Sequence, residues 1–161
     1  YEIKECDWSS DVCSSDLVQW ISGQKFVEVS AFTNPDRRDG HADDSFNVLG
    51  RLSGGGHAQV RATREVPHGE NNLVIEGSEA TLVTSPLRWV TEHVITVRGK
   101  NGATVERFPV NPAYEFEVRS FEAELRGKRG NLPDGEDAAY TVAVTNAVLK
   151  AIDERRIVAV G

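Results

Sequence analysis

The chain has 161 residues, 39% hydrophobic and 27% charged, which is enough for one domain with a real apolar core. Its formal net charge is −7 and its basic residues (Arg37, Arg38, Arg51, Arg61, Arg64, Arg88, Arg98) are scattered, which argues against a nucleic-acid partner. No apolar run approaches the roughly 20 residues that cross a bilayer, and no basic-then-apolar leader opens the chain, so a cytoplasmic protein without membrane contact is expected.

The two cysteines, Cys6 and Cys13, both fall in the first stretch, so no disulfide framework is expected. His41, His57, His68 and His93 lie too far apart for finger or helical ligand spacing, and no metal site is expected.

Residues 1–16 (YEIKECDWSSDVCSSD) are rich in Ser, Asp and Cys and lack periodicity. The run from Asp7 to Leu17, DWSSDVCSSDL, resembles the translation of a sequencing adapter. Residues 1–16 are therefore expected to be an artefactual or disordered leader, with the folded domain running over 17–161. Leu17 to Ile21, followed by Ser22-Gly23, reads as the end of a helix with glycine at its cap.

Strand signals follow closely. Lys25 to Phe32 is expected to place Val27, Val29 and Ala31 on one face. The polar loop Thr33 to Ala42 leads into Asp44 to Ser53, and Gly54-Gly55-Gly56 turns into His57 to Glu65, where Ala58, Val60 and Ala62 alternate with polar residues. Further strands are expected at Asn72 to Glu76, Ala80 to Thr84, Val90 to Arg98 and Ala103 to Val110, the last pair joined by an Asn-Gly turn. Short turns between consecutive strands predict antiparallel pairing.

After Pro112 the period changes. Tyr114, Val118, Phe121 and Leu125 form one helical stripe, expected to cover the sheet and to end at Gly127. A second helix is expected from Gly135 to Glu154, entered through Pro133-Asp134, with an Ala/Val face of Ala138, Val142, Ala147, Val148, Ala151 and Ile152. Ile157 to Val160 reads as a last short strand. The predicted class is α+β: an open, largely antiparallel sheet with helices packed on one face. Its second face, with apolar positions such as Leu49, is expected to be shared with another copy in a homo-oligomer.

Gly54-Gly55-Gly56 is not a phosphate loop, because it joins two strands and lacks the Lys-Ser/Thr that follows one. No Gly-x-Ser-x-Gly occurs, so hydrolase chemistry has no anchor. Asp43-Asp44 and Glu136-Asp137 sit where capping and solvation account for them.

Taken in order, several segments resemble the C-terminal domain of the Gfo/Idh/MocA family. Leu17-Val-Gln-Trp-Ile-Ser-Gly23 with Val27-Glu-Val-Ser-Ala31 resembles that domain's entry. Asp43 to Gly54 is similar to its Glu-Asp…Gly strand. Ala62-Thr-Arg64, Gly69-Glu-Asn71 and Ile75 to Leu82 are similar to its central run, and Tyr114 to Gly127, Pro133 to Asp137 and Ile157 to Val160 to its close.

The resemblance covers the chain from Leu17 onward. It implies a two-domain, NAD- or NADP-dependent dehydrogenase acting on a sugar, inositol or related polyol, whose dinucleotide sits on an N-terminal Rossmann domain missing here. No cofactor is therefore expected on this chain alone. The family's catalytic His-x-x-Asp-x-x-x-Trp, aligned on Trp20, places Asp16 at the Asp and Cys13 at the His, so no catalytic residue is expected to be retained. The resemblance makes Arg64 the first substrate-wall candidate, with a surface Arg paired to an acid as the alternative; Asn71 and Trp89 follow, Trp89 against plain apolar cover. The competing reading is a free-standing, non-enzymatic ligand-binding or assembly module.

Overall fold

The computed structural model describes residues 9–34, 45–63, 71–85, 91–128 and 133–161. They form α1 (Ser9–Ser22), β1 (Phe26–Asn34), β2 (Ser45–Leu52), β3 (His57–Thr63), β4 (Val74–Glu76), β5 (Ala80–Thr84), β6 (Glu92–Gly99), β7 (Gly102–Pro109), α2 (Ala113–Leu125), α3 (Gly135–Glu154) and β8 (Val158–Ala159). All described pairings are antiparallel, so the α+β class with antiparallel sheets and helices holds. The strands divide into two four-stranded sheets, β3-β2-β1-β8 and β4-β5-β6-β7, and contacts divide the chain into two compact units, Tyr1–Pro67 with Pro133–Gly161, and His68–Leu132.

In the first unit, α1 and α3 pack on the β3-β2-β1-β8 sheet. Strand β2 shows the period of two: Phe46, Val48 and Leu52 are buried while Asn47, Leu49 and Arg51 face out. The core joins these to Phe26, Val29, Ala31 and Val60 from the sheet, Val144, Ala147, Val148 and Ala151 from α3, and Val158 from β8. Val27 does not share the face of Val29 and Ala31. A bulge between Phe26 and Glu28 inserts it as the extra residue, so Phe26 and Val29 both point into the core.

Helix α3 has the predicted bounds, but its buried stripe is Thr141, Val144, Thr145, Ala147, Val148 and Ala151, whereas Ala138 and Val142 are exposed. The threonines can enter the core because each hydroxyl donates to the carbonyl one turn back: Thr141 to Asp137 at 3.0 Å and Thr145 to Thr141 at 3.1 Å. Asp134 caps the helix by accepting from the amides of Glu136 and Asp137 at 2.9 and 3.0 Å. At its far end Arg155 takes the left-handed conformation, φ 52°, that glycine usually supplies.

Residues 9–16 are helical rather than an unordered leader, since α1 starts at Ser9, and both Ser15 and Gln19, one turn apart, are buried on the face that meets α3 and β3. Gly23 closes the helix as expected, at φ +65°, with its amide donating to Gln19 O at 2.9 Å.

In the second unit, β4-β5-β6-β7 is a meander in which β5 has the predicted bounds. The register places Ile75, Leu82, Ile95 and Val97 on one face, and Val74, Val83, Val94 and Val105 on the other. Among the described residues of this unit, none is fully buried. Helix α2 does not cover the sheet with its apolar stripe: Tyr114, Val118, Phe121 and Leu125 are 85%, 67%, 57% and 73% exposed.

Candidate functional site

Where α1, β1 and α3 meet, the chain concentrates its polar contacts. The bulge at the start of β1 takes the Phe26 backbone out of the regular ladder, and two side chains take up its polar groups. Tyr140 on α3 donates its hydroxyl to Phe26 O at 2.7 Å, and the Phe26 amide reaches Gln19 Oε1 at 3.5 Å, a long contact. One residue earlier, Lys25 Nζ meets Asp137 Oδ1 at 2.8 Å and lies 4.9 Å from the centre of the Tyr140 ring. Lys25's hydrogen bond to Asp137 raises the lysine above its ordinary value and holds the carboxylate below its own. Both side chains stay nearly half exposed, so this is a surface latch between β1 and α3.

Asp16, the residue at the motif aspartate position, sits in this cluster. Its Oδ1 is 3.4 Å from the buried Thr141 hydroxyl, which also lies 3.0 Å from Asp137 O. The carboxylate is thus turned onto α3 in a packing contact. Cys13, at the motif histidine position, falls one turn earlier in α1. Below them a void lined by Ser15, Phe26, Phe46, Val48, Val60, Val144, Thr145 and Val148 is apolar and holds no more than about one water, too small for a sugar.

Of the three predicted wall residues the structure describes one. Asn71 is exposed just ahead of β4, and Arg64 and Trp89 lie outside the described residues. Among the described residues no group of three His, Cys, Asp or Glu could hold a metal ion. On β6, His93 has its Nδ1 shut off from water without a partner, opposite Phe108 on β7. Nothing in the sequence marked this histidine, or the Lys25–Asp137–Tyr140 latch, because both depend on contacts far apart in the chain.

The triple-glycine turn gives a clear test of whether a dinucleotide could sit here. Two of its amides are already used, Gly54 N donating to Gln24 Oε1 at 2.9 Å and Gly55 N to Leu52 O at 2.9 Å, and the Gly56 carbonyl accepts from Leu52 N at 2.7 Å. A pyrophosphate needs free amides at a helix N-terminus, and this turn closes a hairpin. This turn therefore does not offer a dinucleotide the helix N-terminus of a nucleotide-binding loop. Among the described residues no helix is long and apolar enough to cross a membrane.

Residues 14–83 match the family described as GFO/IDH/MocA C-terminal domain. The chain is 23% identical over 153 residues to inositol 2-dehydrogenase of Rhizobium meliloti (strain 1021), covering 90% of this chain and 46% of that protein. Among solved structures, its fold resembles aldose-aldose oxidoreductase from Caulobacter crescentus complexed with glycerol, with a TM-score of 0.78 and 19% identity, over 92% of this chain and 45% of that one. It also resembles an oxidoreductase from Agrobacterium radiobacter in complex with NAD+, L-tartaric acid and magnesium, with a TM-score of 0.72 and 18% identity, over 93% and 47%. The chain thus spans about half the length of the relatives it matches.

Proposed function

We propose, from the match of residues 14–83 to the GFO/IDH/MocA C-terminal domain, that the chain is the sheet-bearing half of a cytoplasmic oxidoreductase that uses NAD or NADP to oxidise or form a hydroxyl of a sugar, inositol or related polyol. The observation that carries this reading is the coverage: nine-tenths of the chain aligns with less than half of an inositol dehydrogenase. The oxidoreductase resolved with NAD+ and the aldose enzyme resolved with glycerol support the cofactor and the substrate class.

In this reading the chain supplies substrate wall and subunit contact, and the chemistry needs a second half. Moving a hydride from a hydroxyl carbon requires a base aimed at the hydroxyl. Here Asp16 faces Thr141 on α3, and the motif histidine position holds Cys13. Arg64 would grip sugar hydroxyls through its guanidinium fork, with Asn71 and Trp89 completing the wall. The β4-β5-β6-β7 sheet, apolar on both faces and without a fully buried described residue, would be shared with another copy.

The test is to extend the chain with its native upstream coding region and follow NAD+ and NADP+ reduction against a panel of inositols and aldoses. The extended protein should reduce a cofactor with at least one of them, and Arg64→Ala should raise KM more than it lowers kcat. Upstream DNA that encodes no nucleotide-binding domain, or an extended protein inert towards the whole panel in both directions, would overturn the proposal.

A further inference from the structure

Helix α2 presents an ordered pattern to solvent that the enzymatic reading does not use. Tyr114, Val118, Phe121 and Leu125 recur at intervals of four, three and four residues, which is the a/d spacing of a helix seam. On the other side of the helix Ser120 and Ala123 are half-buried, although Phe116 there is also exposed. The stripe spans about three turns, or ~16 Å. It is therefore a face built for contact and left open.

Its borders state what can occupy it. Glu115 and Glu122 flank the stripe on one side, and Glu117 and Glu124 on the other. The first pair is partly neutralised within the helix, by Arg119 to Glu115 and Arg126 to Glu122, each at 2.6 Å. Glu117 and Glu124 have no ion-pair partner among the described residues, so that edge is acidic. A second copy of α2 would set glutamates against glutamates in either helix orientation, because the border positions of one helix face those of the other. An anionic lipid surface is disfavoured too, since helices that lie on membranes carry Lys and Arg beside their apolar face.

We infer that the α2 face docks into an apolar groove on another protein surface edged by lysines or arginines, with the cations placed along Glu117 and Glu124. The apolar stripe supplies the contact area and the acidic edge sets the orientation and the choice of partner. This does not rest on the oxidoreductase reading.

The full chain is titrated, with fluorescence anisotropy as readout, into a labelled three-heptad peptide carrying Leu at a and d and Lys at e and g, and into the same peptide with Glu at e and g. The lysine peptide should bind saturably and the glutamate peptide at least about tenfold more weakly, with the preference shrinking as salt rises. Phe121→Asp should abolish binding, and Glu117→Lys with Glu124→Lys should reverse the preference, while circular dichroism shows both variants folded. Failure of the lysine peptide to bind, equal binding of both, or a double variant that keeps the original preference would overturn the inference. So would a dimer of the unmodified chain that Phe121→Asp dissociates, which would give the face to a second copy.

Discussion

The contact between Phe26 and Gly50 makes a sharp test of the core. The bulge in β1 turns Phe26 inward until it is 1% exposed, and its ring lies over Gly50 on the neighbouring β2. A Cβ built at Gly50 would stand 2.3 and 2.4 Å from Cδ1 and Cε1 of that ring, and 3.4 Å from Glu28 O. Atoms cannot approach so closely, and a ring held among core side chains has little room to retreat. Overpacking of this kind costs about 1–3 kcal/mol, while alanine in place of glycine recovers about 0.4–1 kcal/mol from the unfolded chain. Gly50→Ala should therefore destabilise by about 1–2 kcal/mol, which lowers Tm by roughly 2–8 °C in a chain of this length. Urea and thermal unfolding measure it, with Phe26→Leu as the partner mutation. If the clash is the cause, alanine at position 50 should cost about 1 kcal/mol less in the Phe26→Leu background. A fully stable Gly50→Ala variant, or strictly additive effects, would refute the packing described.

Three further outcomes follow from the same geometry. Tyr140→Phe removes the donor to Phe26 O and should cost about 0.5–1.5 kcal/mol in urea unfolding, with the helix content unchanged by circular dichroism. For Lys25 and Asp137 the lysine is raised and the carboxylate lowered, so the pair adds stability at neutral pH. That contribution fades in acid as pH falls through the lowered carboxylate value, and in base as pH rises through the raised lysine value. The Tm difference between the parent and Asp137→Asn should be small at pH 7 and shrink at both ends; a difference that grows in acid would contradict the latch. Sedimentation at micromolar concentration should find a dimer or larger species that Ile95→Lys weakens; a monomer without exposed-patch dye binding would mean that the β4-β5-β6-β7 faces need no second copy.

Much of the fold was legible locally, and the misses were of one kind. Strand β5 and helix α3 fall on their predicted bounds because a glycine turn, a Pro-Asp entry and acidic first-turn residues mark them within a few residues of chain. Gly23 was legible for the same reason: only a left-handed residue closes that helix. The bulge at Val27 was not, since it is fixed by how β1 meets β2 and α3 rather than by the Val-Glu-Val alternation. The α3 stripe was misread because threonine looks polar in a sequence, and only the structure shows its hydroxyl satisfied one turn back. For α2 the period was right and the direction wrong, because an apolar stripe does not say which surface it meets. The site was least legible. Asp16 aligned with a motif but folds onto Thr141, and of the wall candidates only Asn71, which is exposed, falls among the described residues.

The central proposal is that this chain is the half of an oxidoreductase that does not hold the cofactor. Calorimetric titration of the purified 161-residue chain with NADH and with NADPH tests it most directly. The hairpin use of the Gly54 and Gly55 amides predicts no saturable heat with either nucleotide. Micromolar binding of NADH or NADPH would contradict the account.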